Sequence, residues 1–355
     1  MIPFVIVLLI LAFIAQNWSI KNAFKGIGYS CESSKLLVEP DEVFDLITTV
    51  TNHSKRFIPF IKLEQPLPKA ADIQCPSAKT SEDFDGNLKH IHSTYLRRNS
   101  IYEKRLPISL QKRGCHYFKS AQLISGDFLG ISPKMRHVYT VSSVVVCPKP
   151  ARTKNFDSVM GGFLGDISVR RFIMEDPILT IGARQYTGKE PLKQISWKHT
   201  ARQNRLMVKQ FDYTVEPNVS VMLDVNTQCV GGDRRELLEN CYCLTRSVCE
   251  LLEQKGIRYD FITNATTGNA ISSWAYIAEG LGKAHLFTIL EGLGRASYLV
   301  REPFVETIGK LQQKRYISRG VVIITPERGD EKQQHAEKLC GSGFGAAALL
   351  YGEDI

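Results

Sequence analysis

No H-E-x-x-H, no G-x-S-x-G and no glycine-rich run ending in Lys-Ser or Lys-Thr occurs in this sequence. These absences remove the usual sequence grounds for a zinc peptidase, an α/β-hydrolase or a P-loop nucleotidase. Gly341-Ser342-Gly343-Phe344-Gly345 has no following Lys to grip a phosphate and joins no clear strand to a long helix, so it reads as a loop. Ordered use of cysteine is missing too. The nine cysteines are odd in number and scattered, and no pair has the C-x-x-C spacing of a zinc site. Free buried thiols in a reducing compartment are the expectation. His53, His92, His116, His199 and His285 are dispersed, with no spacing that suggests a metal or a catalytic pair.

Charge of either sign is absent from Ile2 to Ile20, where Ile, Leu, Val and Phe run almost unbroken to Ala15. As a helix this run is about 28 Å long, close to one hydrocarbon core. A cleaved signal peptide needs a basic start and a small-x-small cleavage site, and neither is visible. The reading is therefore an uncleaved anchor over 1–20. Lys21 and Lys25 follow it, so the positive-inside rule places a single-pass protein in the cell membrane with its domains facing the cytoplasm.

What is present suits a folded protein. With 355 residues, 43% hydrophobic and 23% charged, the chain can bury a substantial core in about two domains. After a juxtamembrane linker, 21–30, the pattern over 31–149 is of short strands and tight turns. Val43 to Asn52 alternates, Asn52-His53-Ser54-Lys55 is a turn, and Phe57 to Leu63 is the return strand. An all-β sandwich is the economical reading. Pro148, Pro150 and Gly161-Gly162 mark 150–174 as a second linker. Over 175–355 strands alternate with helices: Val219 to Leu223, a helix over Asp233 to Lys255, Ile257 to Ile262, helix or helix plus strand over Trp274 to Leu290, and Val321 to Thr325. Alternation of this kind predicts an α/β domain with a mostly parallel sheet.

Between Arg184 and Lys209 the cations are Arg184, Lys189, Lys193, Lys198, Arg202, Arg205 and Lys209, and the only anion is Glu190. Such an imbalance either meets something anionic or is neutralised by acids elsewhere in the fold, with Glu175, Asp176 and Glu216 as candidates. Arg202 is the expected member of a buried pair, and Lys189 and Lys198 the expected exposed ones. Tyr186, Ile195, Trp197, Leu206, Val208 and Phe211 fall mostly at even steps, which suits strands with one buried face. The order and spacing of Arg184, Tyr186, Ile195, Trp197, Ala201, Arg202, Leu206 and Val208 resemble the bacterial family called domain of unknown function 58. Arg113, Gly114, Ser125, Asp127, Gly130, Val146 and Pro148 extend the resemblance to the first domain. Lys189, Glu190 and Lys193 depart from the family pattern, which has Gly-Asp and Arg there.

The resemblance implies a doubly wound, von Willebrand factor A-like second domain and an association with MoxR-type AAA+ ATPases. In that fold ligands bind at the carboxyl ends of the strands, where Asp224 follows Val219 to Leu223. Metal-binding members carry D-x-S-x-S at this turn. Here Asp224, Asn226 and Gln228 stand in its place, and Thr325-Pro326-Glu327 replaces a later T-D-G. Without the hydroxyls Mg²⁺ or Mn²⁺ has a poor ligand set, and Asp224 reads as a turn or cap residue. The expected function is a non-catalytic, membrane-anchored scaffold working with such an ATPase in assembly or chaperone-like work. Its interaction residues are Arg184, Tyr186, Glu190, Lys193, Trp197, Lys198 and Arg202. The alternative is a metal-dependent binding protein or hydrolase using the Asp224 crevice. Nucleic acid is not an expected partner: a net charge of +9 and a pI near 9.0 come with no recognition motif, and an anionic membrane leaflet accounts for them.

Overall fold

The computed structural model describes residues 16, 21–69, 71–76, 78–82, 88–126, 133–173, 180–188, 190–211, 218–267, 272–313, 320–341 and 346–355. Two compact units emerge, Met1–Lys149 with Leu293–Arg295, and Pro150–Gly292 with Ala296–Ile355.

The first unit contains β1 (Ile27–Ser33), β2 (Leu37–Val38), β3 (Val43–Asn52), β4 (Ile58–Pro66), β5 (Ala71–Ile73), β6 (Lys79–Glu82), β7 (Leu88–Leu96), β8 (Ser100–Leu110), β9 (Gly114–Ser125) and β10 (Lys134–Val146). They form one sheet in the order β1-β3-β8-β5 and another in the order β2-β10-β9-β4-β7-β6. Pairing is antiparallel except where β2 lies parallel to β10. The period of two in β3 explains its place: Phe44, Leu46, Thr48, Val50 and Asn52 are buried while the residues between them are not. Phe44, Leu46, Leu106 and Ile108 from the first sheet pack with Phe118, Val144 and Val146 from the second, which makes a β-sandwich. Val50 against Ile61, Leu63 and Leu123 extends the core. The buried Asn52 side chain is matched. The Asn52 amide donates to the carbonyls of Arg56 and Arg97, 2.8 Å each, and its oxygen accepts from the Ser54 N–H, so one side chain ties the β3–β4 turn.

The second unit opens with a helix, α1 (Phe156–Ile173), and a two-stranded antiparallel sheet of β11 (Thr180–Gln185) and β12 (Met207–Phe211) around α2 (Trp197–Gln203). Next come β13 (Asn218–Leu223), α3 (Gly232–Gln254), β14 (Arg258–Thr263), β15 (Ala265–Thr267), β16 (Tyr276–Gly280), α4 (Lys283–Arg295), β17 (Ala296–Val300), α5 (Phe304–Gln313), β18 (Gly320–Thr325), α6 (Asp330–Gly341) and β19 (Ala346–Tyr351). A five-stranded sheet has the order β16-β14-β13-β18-β19, with β16 antiparallel and the other pairs parallel. Both faces of its central strands are covered, so β18 is buried from Gly320 to Thr325 without alternation. Met222, Val321 and Ile323 pack with Phe304 and Ile308 of α5 and Ala336 of α6. Leu238, Cys241, Thr245, Val248 and Leu252 form the buried stripe of α3, which packs on β13, β14 and β18.

Several expectations are corrected here. Among the described residues no helix is long and apolar enough to cross a membrane, which overturns the membrane-anchored, single-pass architecture and the location inferred from it. The run read as the anchor lies, Gln16 apart, outside the described residues. The chain is also richer in strand than a doubly wound, von Willebrand factor A-like reading requires. Its main α/β sheet is mixed, and β11–β12 and β15–β17 form further antiparallel pairs. The linker expected over 150–174 is largely α1. Phe156, Met160, Phe163 and Ile167 recur at helical spacing and are buried. A Cβ at Gly320 would lie 2.7 Å from both Phe163 and Ile167, so the close seat of α1 on β18 depends on that glycine. Finally, β1 begins inside the stretch read as the juxtamembrane linker.

Candidate functional site

Two parts of the second unit carry unusual charge. The first is the crevice at the carboxyl ends of β13 and β18. Asp224 follows β13 and is completely buried. Its Oδ1 accepts from the Asn264 Nδ2, 2.7 Å, and from the Asn226 N–H, 2.9 Å. The Asn264 Oδ1 in turn accepts from the Val225 N–H, 2.9 Å, which fixes the amide's orientation. On the other side Oδ2 lies 3.0 Å from the Lys332 Nζ and 3.4 Å from the Thr325 Oγ1, which donates to it. The same ammonium donates to the Thr325 hydroxyl and to the Asn226 carbonyl, the latter at 3.3 Å. Every oxygen of the buried carboxylate is thus paired, as a buried charge requires.

The expected ligand set does not assemble in this crevice. Asn226 and Gln228 are exposed, and Asn226 reaches the site through its backbone N–H and carbonyl. The chain between them is held by Thr227, whose hydroxyl donates to the Glu327 carboxylate at 2.6 Å and accepts from the Cys229 N–H. Hydrogen bonds from the Cys229 thiol and the Thr227 hydroxyl hold Glu327 below the usual carboxylate range. Among the described residues no group of three or more His, Cys, Asp or Glu side chains is arranged for a metal ion. Sequence reasoning missed Lys332 and Asn264. Lys332 left one trace: it stands in the first turn of α6, where the helix dipole disfavours a cation that has no counter-charge.

The second part is the basic segment. Ile195, Met207 and Val208 are buried, and Ile195 bridges to Val208. The Ser196 N–H donates to the Met207 carbonyl and the Thr200 hydroxyl accepts from the Met207 N–H, which docks α2 on β12. A helix starting at Trp197 breaks the period of two, so Ile195 points inward while Trp197 is 68% exposed. The even-step reading is corrected at that residue. Asn204, in a left-handed conformation, ends α2. Leu192, 72% exposed, and Leu206, 45% exposed, are further exposed apolar residues of this stretch. Lys193, Lys198, Arg202, Arg205 and Lys209 are exposed in it as well.

Arg184 and Glu190 form an ion pair in this segment, at 2.5 Å. Thr187 donates its hydroxyl, 2.7 Å, and its N–H, 3.1 Å, to the same carboxylate. These hydrogen bonds, Thr187 first and Arg184 after it, hold Glu190 well below the usual carboxylate range. Tyr186 is partly buried, its N–H on the Leu206 carbonyl. Arg202 is exposed, which corrects the expectation that it is the buried member of a pair. Lys189, Glu175, Asp176 and Glu216 lie outside the described residues, as do Asp127 and Gly130.

No family model matches the chain, and no curated protein matches it. Solved structures with a likeness to it include a CARDB domain from Pyrococcus furiosus in complex with di-metal ions, 12% identical, covering 35% of this chain and 90% of that one at a TM-score of 0.23. A non-cellulosomal cohesin from Archaeoglobus fulgidus is 12% identical, covering 33% and 90% at a TM-score of 0.24. A type I cohesin from Pseudobacteroides cellulosolvens is 8% identical, covering 35% and 94% at 0.23. Likenesses this slight carry no argument about function.

Proposed function

We propose that this protein is a non-catalytic interaction module that docks an acidic partner on the basic segment. The observation that carries the reading is the exposure of Trp197 and Leu192 in a stretch where Lys193, Lys198, Arg202 and Arg205 are also exposed. An exposed aromatic with aliphatic neighbours supplies binding energy, and surrounding cations supply steering and selectivity for a negative surface. Glu190 fits this division. Its ties to Thr187 and Arg184 shape the turn. The partner proposed is a MoxR-type AAA+ ATPase, from the resemblance of Arg184, Tyr186, Ile195, Trp197, Ala201, Arg202, Leu206 and Val208 to domain of unknown function 58, and the work is assembly or chaperone-like.

Direct titration with a purified MoxR-type ATPase from the same cell tests this. Binding that weakens as salt rises, and that Trp197→Ala diminishes without altering the melting temperature, is the expected result. Absence of binding at low salt, or binding indifferent to Trp197→Ala, rejects the proposal.

A further inference from the structure

The Lys332 ammonium meets three oxygens in the crevice: the Asp224 carboxylate, the Thr325 hydroxyl and the Asn226 carbonyl. An ammonium has three N–H donors, and each has an oxygen here. The arrangement is also the donor set that suits a hard divalent cation, which takes carboxylate, hydroxyl and carbonyl oxygens. We propose that Lys332 occupies the seat of such a cation, so that the crevice is a metal site closed by a charge belonging to the chain. Three features support it. Asp224 is wholly buried, and its Oδ1 is committed to Asn264 and Asn226, which leaves Oδ2 for a cation. The Lys332 side chain is 19% exposed, so the ammonium is largely withdrawn from water to meet that oxygen. And α6, whose first turn carries Lys332, delivers the charge against its own dipole.

The chemistry of exchange follows. Removing the ammonium and its four-carbon stem leaves a buried carboxylate, a hydroxyl and a carbonyl around the volume that they occupied. Mg²⁺ and Mn²⁺ bind in such places through a few protein oxygens and complete their shells with water. The native crevice is then indifferent to these metals, and Lys332→Ala creates a site for one.

Mn²⁺ binding to the full chain, read by electron paramagnetic resonance, with melting temperatures in parallel, makes the test. The native protein is expected to take up no Mn²⁺ in this crevice at millimolar concentration. Lys332→Ala is expected to melt several degrees lower, bind one Mn²⁺, and recover stability on binding it. Adding Asp224→Asn to that variant is expected to abolish the Mn²⁺ binding and the recovery that it brings. Native uptake that depends on Asp224, or a folded Lys332→Ala that binds no Mn²⁺, overturns the proposal. Should Lys332→Ala be recovered unfolded, refolding with Mn²⁺ decides: recovery supports the proposal, and failure to recover while Lys332→Gln folds contradicts it.

Discussion

The crevice at Asp224 and the basic segment at Arg184–Lys209 both concentrate charge, and they treat it in opposite ways. In the crevice one carboxylate and one ammonium are withdrawn from water, and each of their polar atoms meets a partner. In the segment, exposed cations share a stretch of chain with an exposed tryptophan, and Glu190 pairs with Arg184. Buried charge without a partner is costly, so a matched pair in a core is part of the structure. Solvated cations cost little and contribute little to stability, so an excess of them beside exposed apolar side chains is better understood through what it meets. The contrast yields effects of quite different size.

The largest effect belongs to the crevice. Lys332→Ala strands the Asp224 carboxylate in the core and is expected to cost about 3 to 5 kcal/mol in equilibrium denaturation without divalent metal. A change below 1 kcal/mol, on the scale of ordinary surface substitutions, would place the pair with the surface charges and erase the contrast.

Next comes a buried ionisable group in the first unit. His90 is 4% exposed, and burial, then the neighbouring His92 and Lys104, depress its pKa to about 4. The unfolded chain holds that proton near the ordinary value of about 6.5, so between these values it binds more protons than the folded chain. Stability is full above about pH 6.5 and declines as pH falls toward 4, by on the order of 3 kcal/mol. Denaturation midpoints across that range measure it. His90→Gln should flatten the profile, and an unchanged slope would assign the loss to other groups.

Smaller in stability, larger in recognition, are changes in the basic segment. Trp197→Ala is expected to leave the denaturation midpoint within about 0.5 kcal/mol while costing at least about 2 kcal/mol of partner affinity. Lys198→Ala and Arg202→Ala should each be as silent in stability and mainly slow association, with a weaker dependence on salt. A loss of several kcal/mol in stability for Arg202→Ala would return it to the buried class.

How much of this was legible in the sequence depends on the distance over which the cause acts. Local periodicity carried the first unit, because alternation from Phe44 to Asn52 and the Asn52-His53-Ser54-Lys55 turn are set by neighbours in sequence. It also contained α1, in the spacing of Phe156, Met160, Phe163 and Ile167, but Pro150 and Gly161-Gly162 drew the reading toward a linker. Asp224 at a strand end was legible; its counter-ion was not, since Lys332 comes from an element far along the chain and only the fold brings them together. Burial of Arg202 was inferred from its place in a motif, and a motif specifies spacing without specifying which side faces water. The start of α2 at Trp197 turned the side chains outward.

Whether the cations of the basic segment serve recognition is read from the affinity of one variant. Lys193, Lys198, Arg202 and Arg205 are replaced together by Ala, and binding to the purified MoxR-type ATPase is titrated from low to high salt beside the native protein. The variant is expected to bind more weakly at low salt, with an affinity that barely changes as salt rises, while native affinity falls toward it. Equal affinities with equal salt dependence would make the charges an ordinary solvated face with no part in recognition.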